Sequence, residues 1–285
     1  MKKIIKLLLT IILIFLMCSC TKDSMENITI YTSMYPVEFV TNKLYQDYST
    51  IYSIYPSDVD PYNYKLTDKQ INNYSKSDLI VYNGLGKEND IVVQMLNKNK
   101  KLKIIDATAK IEYNSSIDEI WINPSNVITI AQNVRNGLKE YITSAYLQDI
   151  IDDNYEKLKL ELSTIDAQIK ETIENSTDKD IIVASDDLKI LSKYGLNIIS
   201  VDENSITDKT LSDAKNLLDN GDIKFIYVKK GYKETETMKN LKEEYNIEYK
   251  EIDTLNNLSQ EDKNNNKDYI TIMNENIDNL KEELY

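Results

Sequence analysis

Between Ser144 and about Asn175 the chain carries no glycine and no proline. Tyr155, Leu158, Leu162, Ile165, Ile169 and Ile173 recur there at steps of three and four, which puts one apolar stripe along one long helix. At ~1.5 Å per residue such a helix would span ~45 Å, longer than a small domain needs. It stands between two regions of another kind. Before it, "ITIYTSMYPV", "STIYSIYP", "LIVYNGLG" and "KLKIIDAT" read as strands. They alternate with helical stretches "VEFVTNKLYQDY", "TDKQINNYSKSD" (capped by Thr67) and "NDIVVQMLNK". After it, "IIVAS", "LNIISV", "IKFIYVKK" and "IEYKEID" are strands separated by "DLKILSKYG", "TDKTLSDAKNLLDN" and "ETETMKNLKEEYN", and "KDYITIMNENIDNLKEEL" closes the chain as a helix. "SQEDKNNNK" reads as a flexible polar loop. Strands alternating with helices build parallel sheets covered on both faces. The expected fold is therefore two α/β lobes with parallel sheets, joined by a long rigid α-helix. The divisions are 28–143 for the first lobe, 144–178 for the connecting helix and 179–285 for the second lobe.

The N-terminus sets the compartment. In "MKKIIKLLLTIILIFLMCSC", Lys2, Lys3 and Lys6 precede an apolar core too short to span a bilayer, which ends at Ser19-Cys20. This resembles a bacterial lipobox, although Met17 stands where leucine is preferred. It implies a lipoprotein signal peptide at 1–19, Cys20 as the lipidated residue and a short tether at 20–27. The alternative is a plain secretion signal. Both cysteines lie in this segment, so cleavage before Cys20 leaves neither thiol nor disulfide. The expected location is the extracytoplasmic face of the cell membrane, with the lipid as the sole anchor.

Removing Lys2, Lys3 and Lys6 takes the formal charge from −13 to −16, a surface that repels nucleic acid and anionic lipid. The sequence has no histidine, no P-loop and no Gly-x-Ser-x-Gly elbow, and a role other than catalysis is expected.

Ligands of open parallel sheets bind beyond the carboxyl ends of the strands. Four stretches fall there: "DPYNYKLT" with Tyr62, "IDEIWINPSN" with Glu119 and the only tryptophan, "IVASDD" with Ser185, Asp186 and Asp187, and "YKEIDTL" with Asp253. Together with "YNGLG" at 82–86 and Tyr35-Pro36, these stretches resemble the metal-binding lipoproteins of bacterial ABC importers for zinc and manganese, some once called adhesins. Asp-Pro-His of that family is Asp60-Pro61-Tyr62 here, and His-x-Trp-x-Asp-Pro is "EIWINP".

The resemblance implies a monomer that captures a metal cation between its lobes for an ABC permease and ATPase, with no organic cofactor. Carried over by position, the metal ligands would be Tyr62, Glu119, Asp186 and Asp253. Ser185 takes the third place in an ungapped match of the following helix. Such a set holds oxygen only and suits manganese, ferric iron, calcium or magnesium better than zinc. The alternative is a degenerate member that binds no metal and takes another solute or a surface partner.

Overall fold

The computed structural model describes residues 25–221 and 223–285. The expected signal peptide and Cys20 lie outside the described residues.

The first lobe is one parallel sheet in the order β2-β1-β3-β4, formed by β1 (Ile28–Thr32), β2 (Ser49–Ser53), β3 (Leu79–Tyr82) and β4 (Lys103–Asp106). The second repeats that order as β6-β5-β7-β8, with β5 (Asp180–Val183), β6 (Asn197–Ser200), β7 (Phe225–Lys229) and β8 (Glu248–Ile252). All pairings are parallel. In each lobe the connection after the first strand goes to one side, and the next crosses back to the other. That reversal opens a crevice at the carboxyl ends of the central strands. The central strand β3, "LIVY", is buried throughout, as a strand covered on both faces must be.

The first lobe's helices are α1 (Tyr35–Tyr45), α2 (Asp68–Tyr74) and α3 (Glu88–Lys98). The first strand stops at Thr32, short of the run to Val37 that its β-branched composition suggests, because Pro36 in the first helical turn has the fixed φ a helix start wants. Thr67 caps α2 through a reciprocal pair with Gln70. At the end of β3 the Gly84 N–H donates to Asp106 at 3.1 Å and Thr108 at 2.8 Å, and a Cβ there would lie 2.1 Å from the Asp106 carboxylate. That close approach, rather than an unusual φ, requires the glycine.

The long helix is α5 (Ala145–Glu174), capped by the Ser144 hydroxyl. A helix unforeseen in the sequence, α4 (Pro124–Tyr141), precedes it and folds back against it through residues 142–144. The whole predicted stripe of α5 is buried, together with Leu147 and Ile151. Asp152 on α5 takes Arg135 Nε at 2.6 Å and Lys139 Nζ at 2.5 Å, which locks the two helices together.

The second lobe holds a 3₁₀ helix (Asp186–Tyr194), α6 (Asp208–Asn220), α7 (Glu236–Tyr245), a short α8 (Gln260–Asn264) and the closing α9 (Tyr269–Leu284). The polar stretch expected to be a flexible loop forms α8 instead. Ser259 caps it, and Asp262 is buried among Lys230 and Lys267.

The lobes are braced against each other as well as bridged. The Tyr269 ring on α9 stacks on Phe39 of α1 at 5.3 Å, and its hydroxyl donates to the Trp121 carbonyl at 2.8 Å. Asn257 donates to the carbonyls of Pro56 and Val59, and Lys193 to Asn123 Oδ1 at 2.6 Å. Most of the buried apolar residues form one core running through both lobes, with a smaller cluster on the far side of the second sheet. Among the described residues no helix is long and apolar enough to cross a membrane.

Leu162 is fully buried on α5, whereas Leu160 two residues earlier is 69% exposed. Leu162→Ala should cost about 2–5 kcal/mol in urea unfolding, and Leu160→Ala less than about 0.5 kcal/mol. Equal effects would mean that α5 does not pack along that stripe.

Candidate functional site

Two short 3₁₀ helices face each other where the lobes meet. One covers Ile117–Ile120 in the first lobe, the other begins at Asp186 in the second. Each is capped by a serine two residues before an aspartate. The Asp118 N–H donates to Ser116 Oγ at 3.1 Å, and the Asp187 N–H to Ser185 Oγ at 3.3 Å. A 3₁₀ helix turns ~120° per residue, so the cap decides which of two neighbouring acids faces the cleft. In both turns the aspartate at cap plus two faces inward.

The expected ligand positions therefore part company. Glu119 is buried, with both oxygens accepting from backbone amides, Asn114 at 2.9 Å and Ser115 at 2.8 Å; it braces its own loop. Asp186 turns toward its own lobe, where Ser200 Oγ at 2.5 Å and Lys189 Nζ at 2.7 Å reach it. Burial would raise its pKa, but Lys189 and the hydroxyls of Ser200 and Ser205 hold it below the usual carboxylate range. Ser185 points back to Asp187 as a cap. Tyr62 and Asp253 do line one interlobe cavity of about 380 Å³, with Asp58, Asp60, Lys229 and Lys230 among its walls. Asp118 and Asp187 take the inward places that the positional match gives to Glu119 and Asp186. The signal for them is the pair of Ser-x-Asp spacings, Ser116 with Asp118 and Ser185 with Asp187.

Tyr62 is held by its loop and by its hydroxyl. Asp60 Oδ1 accepts from the Tyr62 N–H at 2.9 Å, which fixes the turn after Pro61. The Tyr62 hydroxyl donates to Asp118 Oδ1 in a very short hydrogen bond and accepts from Trp121 Nε1 at 2.9 Å. Burial, and then the charge of Asp118, push the phenol far above its ordinary pKa, so it stays a neutral donor. Burial lifts Asp118 to about 6, with Asp187 adding to the rise and Tyr62 and Lys229 opposing it. Asp187 goes the other way. Burial works against its charge, but Lys229 Nζ at 2.8 Å and the hydroxyls of Ser116 and Ser185 hold it below the usual range. Lys229 is raised in turn: burial disfavours its charge, and Asp187 outweighs that. Beside it, Lys230 bridges Asp253 at 2.9 Å and Asp262 at 2.5 Å.

The donors facing the seam are two carboxylates and a phenol, the kind of set that suits a hard cation. Among the described residues no group of three or more His, Cys, Asp or Glu is gathered closely enough to hold a metal. What stands against Asp187 is the Lys229 ammonium, at 2.8 Å.

Parallel lobes of one topology, a bridging helix and an interlobe cleft at the strand ends define the architecture of helix-bridged solute-binding proteins. Residues 30–283 match the family described as zinc-uptake complex component A, periplasmic (ZnuA), and the chain belongs to that family. It is 26% identical over 244 residues to the manganese ABC transporter substrate-binding lipoprotein PsaA of Streptococcus pneumoniae, a match covering 77% of this chain and 78% of that one. To the metal ABC transporter substrate-binding lipoprotein ScbA of Streptococcus cristatus it is 24% identical over 189 residues, 59% of this chain and 60% of that protein's length. In structure it is similar to the metal-dependent lipoprotein YcdH of Bacillus subtilis, with a TM-score of 0.76 at 22% identity, covering 90% of this chain and 99% of that one. The Zn(II)-bound ZnuA-like domain of Streptococcus pneumoniae AdcA gives 0.74 at 19%, with the same coverage.

Asp118 yields a pH test. An acid lifted from ~3.9 when unfolded holds more protons folded than unfolded up to its folded value, here about 6. Its ionisation therefore erodes stability as pH rises through that window. Asp118→Asn keeps an acceptor for Tyr62 and should be about 3 kcal/mol more stable than wild type at pH 7.5. The gap should narrow toward pH 4.5 in thermal melts, and a gap that widens on acidification would contradict the buried, raised carboxyl.

Proposed function

We propose that this protein is the extracytoplasmic substrate-binding subunit of an ABC importer, holding a hard metal cation in the interlobe cleft and passing it to the permease and its ATPase. The observation that carries this reading is the meeting of Tyr62, Asp118 and Asp187 at the seam of a ZnuA-family fold. Asp253 and Tyr62 share the adjoining cavity wall. The metal residues of the proposal are thus Tyr62, Asp118 and Asp187, while Glu119 and Asp186 stiffen the two turns. The names of PsaA and ScbA support metal as the cargo class. The chain has no histidine, so its donors favour manganese or ferric iron over zinc. The role is binding rather than catalysis, carried out as a monomer held to the membrane by acylated Cys20.

A second reading rests on one observation. Lys229 and Lys230 already balance Asp187 and Asp253, which suits a cleft that takes no metal and holds another solute or a surface partner.

Titrating the metal-free mature protein with Mn²⁺, Fe³⁺ and Zn²⁺ separates the two. Manganese or ferric iron should raise the melting temperature, by about 2.7 kcal/mol of stabilisation at a hundredfold excess over Kd, with zinc weaker. Flat melting curves up to millimolar metal would leave the second reading standing. Independently, Cys20→Ala should move the protein from the membrane to the medium and abolish palmitate labelling. A variant that stays on the membrane unlabelled would refute the lipid anchor.

A further inference from the structure

We infer that Lys229 is a built-in competitor of the cargo cation, a residue that sets the site's threshold and rejects monovalent ions. This inference rests on the metal-importer reading and concerns how the same site is gated. Lys229 is the last residue of β7, so its backbone is fixed while its four-carbon stem reaches into the cleft. Its ammonium sits 2.8 Å from Asp187 Oδ2, and its charge is felt by Asp118 and Asp60. The two partners differ in access to water. The Lys229 side chain is 41% exposed and that of Asp187 13%. The lysine can swing into solvent at little cost, whereas the carboxylate cannot follow and needs a positive partner in place.

Lys230 serves as the contrast. It holds two carboxylates, Asp253 and Asp262, and Asp262 is also reached by Lys267 and by Ser259. Releasing Lys230 breaks two ion pairs where releasing Lys229 breaks one, so Lys230 is the more firmly held cation. Lys229 is the exchangeable one.

Entry of a cargo ion is then an exchange: the ion takes Asp187 and Asp118, and the ammonium leaves for water. A monovalent ion offers the carboxylates the same charge that Lys229 already supplies from a tether, at high effective concentration, and so gains nothing. A divalent or trivalent ion offers more charge to both aspartates and can win. Neutralisation by Lys229 also keeps the empty cleft from repelling itself apart.

The test compares Mn²⁺ binding by wild type, Lys229→Met and Lys229→Arg, using calorimetry and thermal shift on the metal-free mature protein. Lys229→Met keeps the stem's volume and removes the competitor; it should bind Mn²⁺ about fivefold tighter, the upper scale of one partly exposed ion pair. Its melting temperature should also rise with Na⁺ relative to choline at equal ionic strength, an effect absent from wild type. Lys229→Arg grips the carboxylate with a planar fork and should bind Mn²⁺ more weakly than wild type. If Lys229→Met does not fold, the arginine variant still decides the matter. Equal Mn²⁺ affinity in all folded variants, or weaker binding in Lys229→Met, overturns the inference and leaves the importer reading intact. No Mn²⁺ binding by any of them overturns that reading, and the inference with it.

Discussion

Trp121 is the point on which the two lobes hang together. It is fully buried, its indole N–H donates to the Tyr62 hydroxyl, and its carbonyl accepts from Tyr269 on the closing helix. One residue thus ties the loop after β4, the Asp-Pro-Tyr turn and the C-terminal helix into one unit. A buried indole N–H without an acceptor costs ~1–3 kcal/mol, so the aromatic core fixes where Tyr62 stands. Tyr62 in turn donates its hydroxyl proton to Asp118 within the first lobe. Packing therefore dictates the polar geometry, and the electrostatics of the site follow from that packing.

Those electrostatics divide two similar acids. Asp118 and Asp187 occupy matching places in matching capped turns, yet burial raises one to about 6 and the other is held low. The difference lies in their partners. Asp118 faces a neutral phenol, while Asp187 faces an ammonium and two hydroxyls. The pair resembles a split charge, with one carboxyl easily neutralised and one firmly ionised.

The architecture was legible in the sequence because its signals are local and repeated. The stripe from Tyr155 to Ile173, the Thr67 cap and the β-branched strand cores each specify one element without help from distant residues. What was not legible depended on distant partners. Pro124–Tyr141 is an exception, since its stripe of Val127, Ile130, Ala131, Val134 and Leu138 is itself local and packs on α5. "SQEDKNNNK" looked unstructured until Lys230, thirty-two residues upstream, is set against Asp262. The orientation of the candidate site residues is a narrower question. Choosing between Asp118 and Glu119, or Asp187 and Asp186, means knowing the phase of a 3₁₀ turn. Positional matching locates the turn; the serine caps set its phase.

The bracing of the lobes limits how such a cleft can work. The bridging helix is unbroken over Ala145–Glu174, and Tyr269, Asn257 and Lys193 add bonds across the seam. Swinging the lobes apart would break these together and expose the core that runs through both. Side-chain motion costs far less, and it is the exposed, flexible groups at the cleft mouth that can supply it. In a chain of formal charge −13 the approach of a cation is favoured everywhere on the surface, so attraction alone cannot select one. The two cleft lysines are equally exposed over equally buried aspartates, and what separates them is that Lys230 holds two carboxylates and Lys229 one.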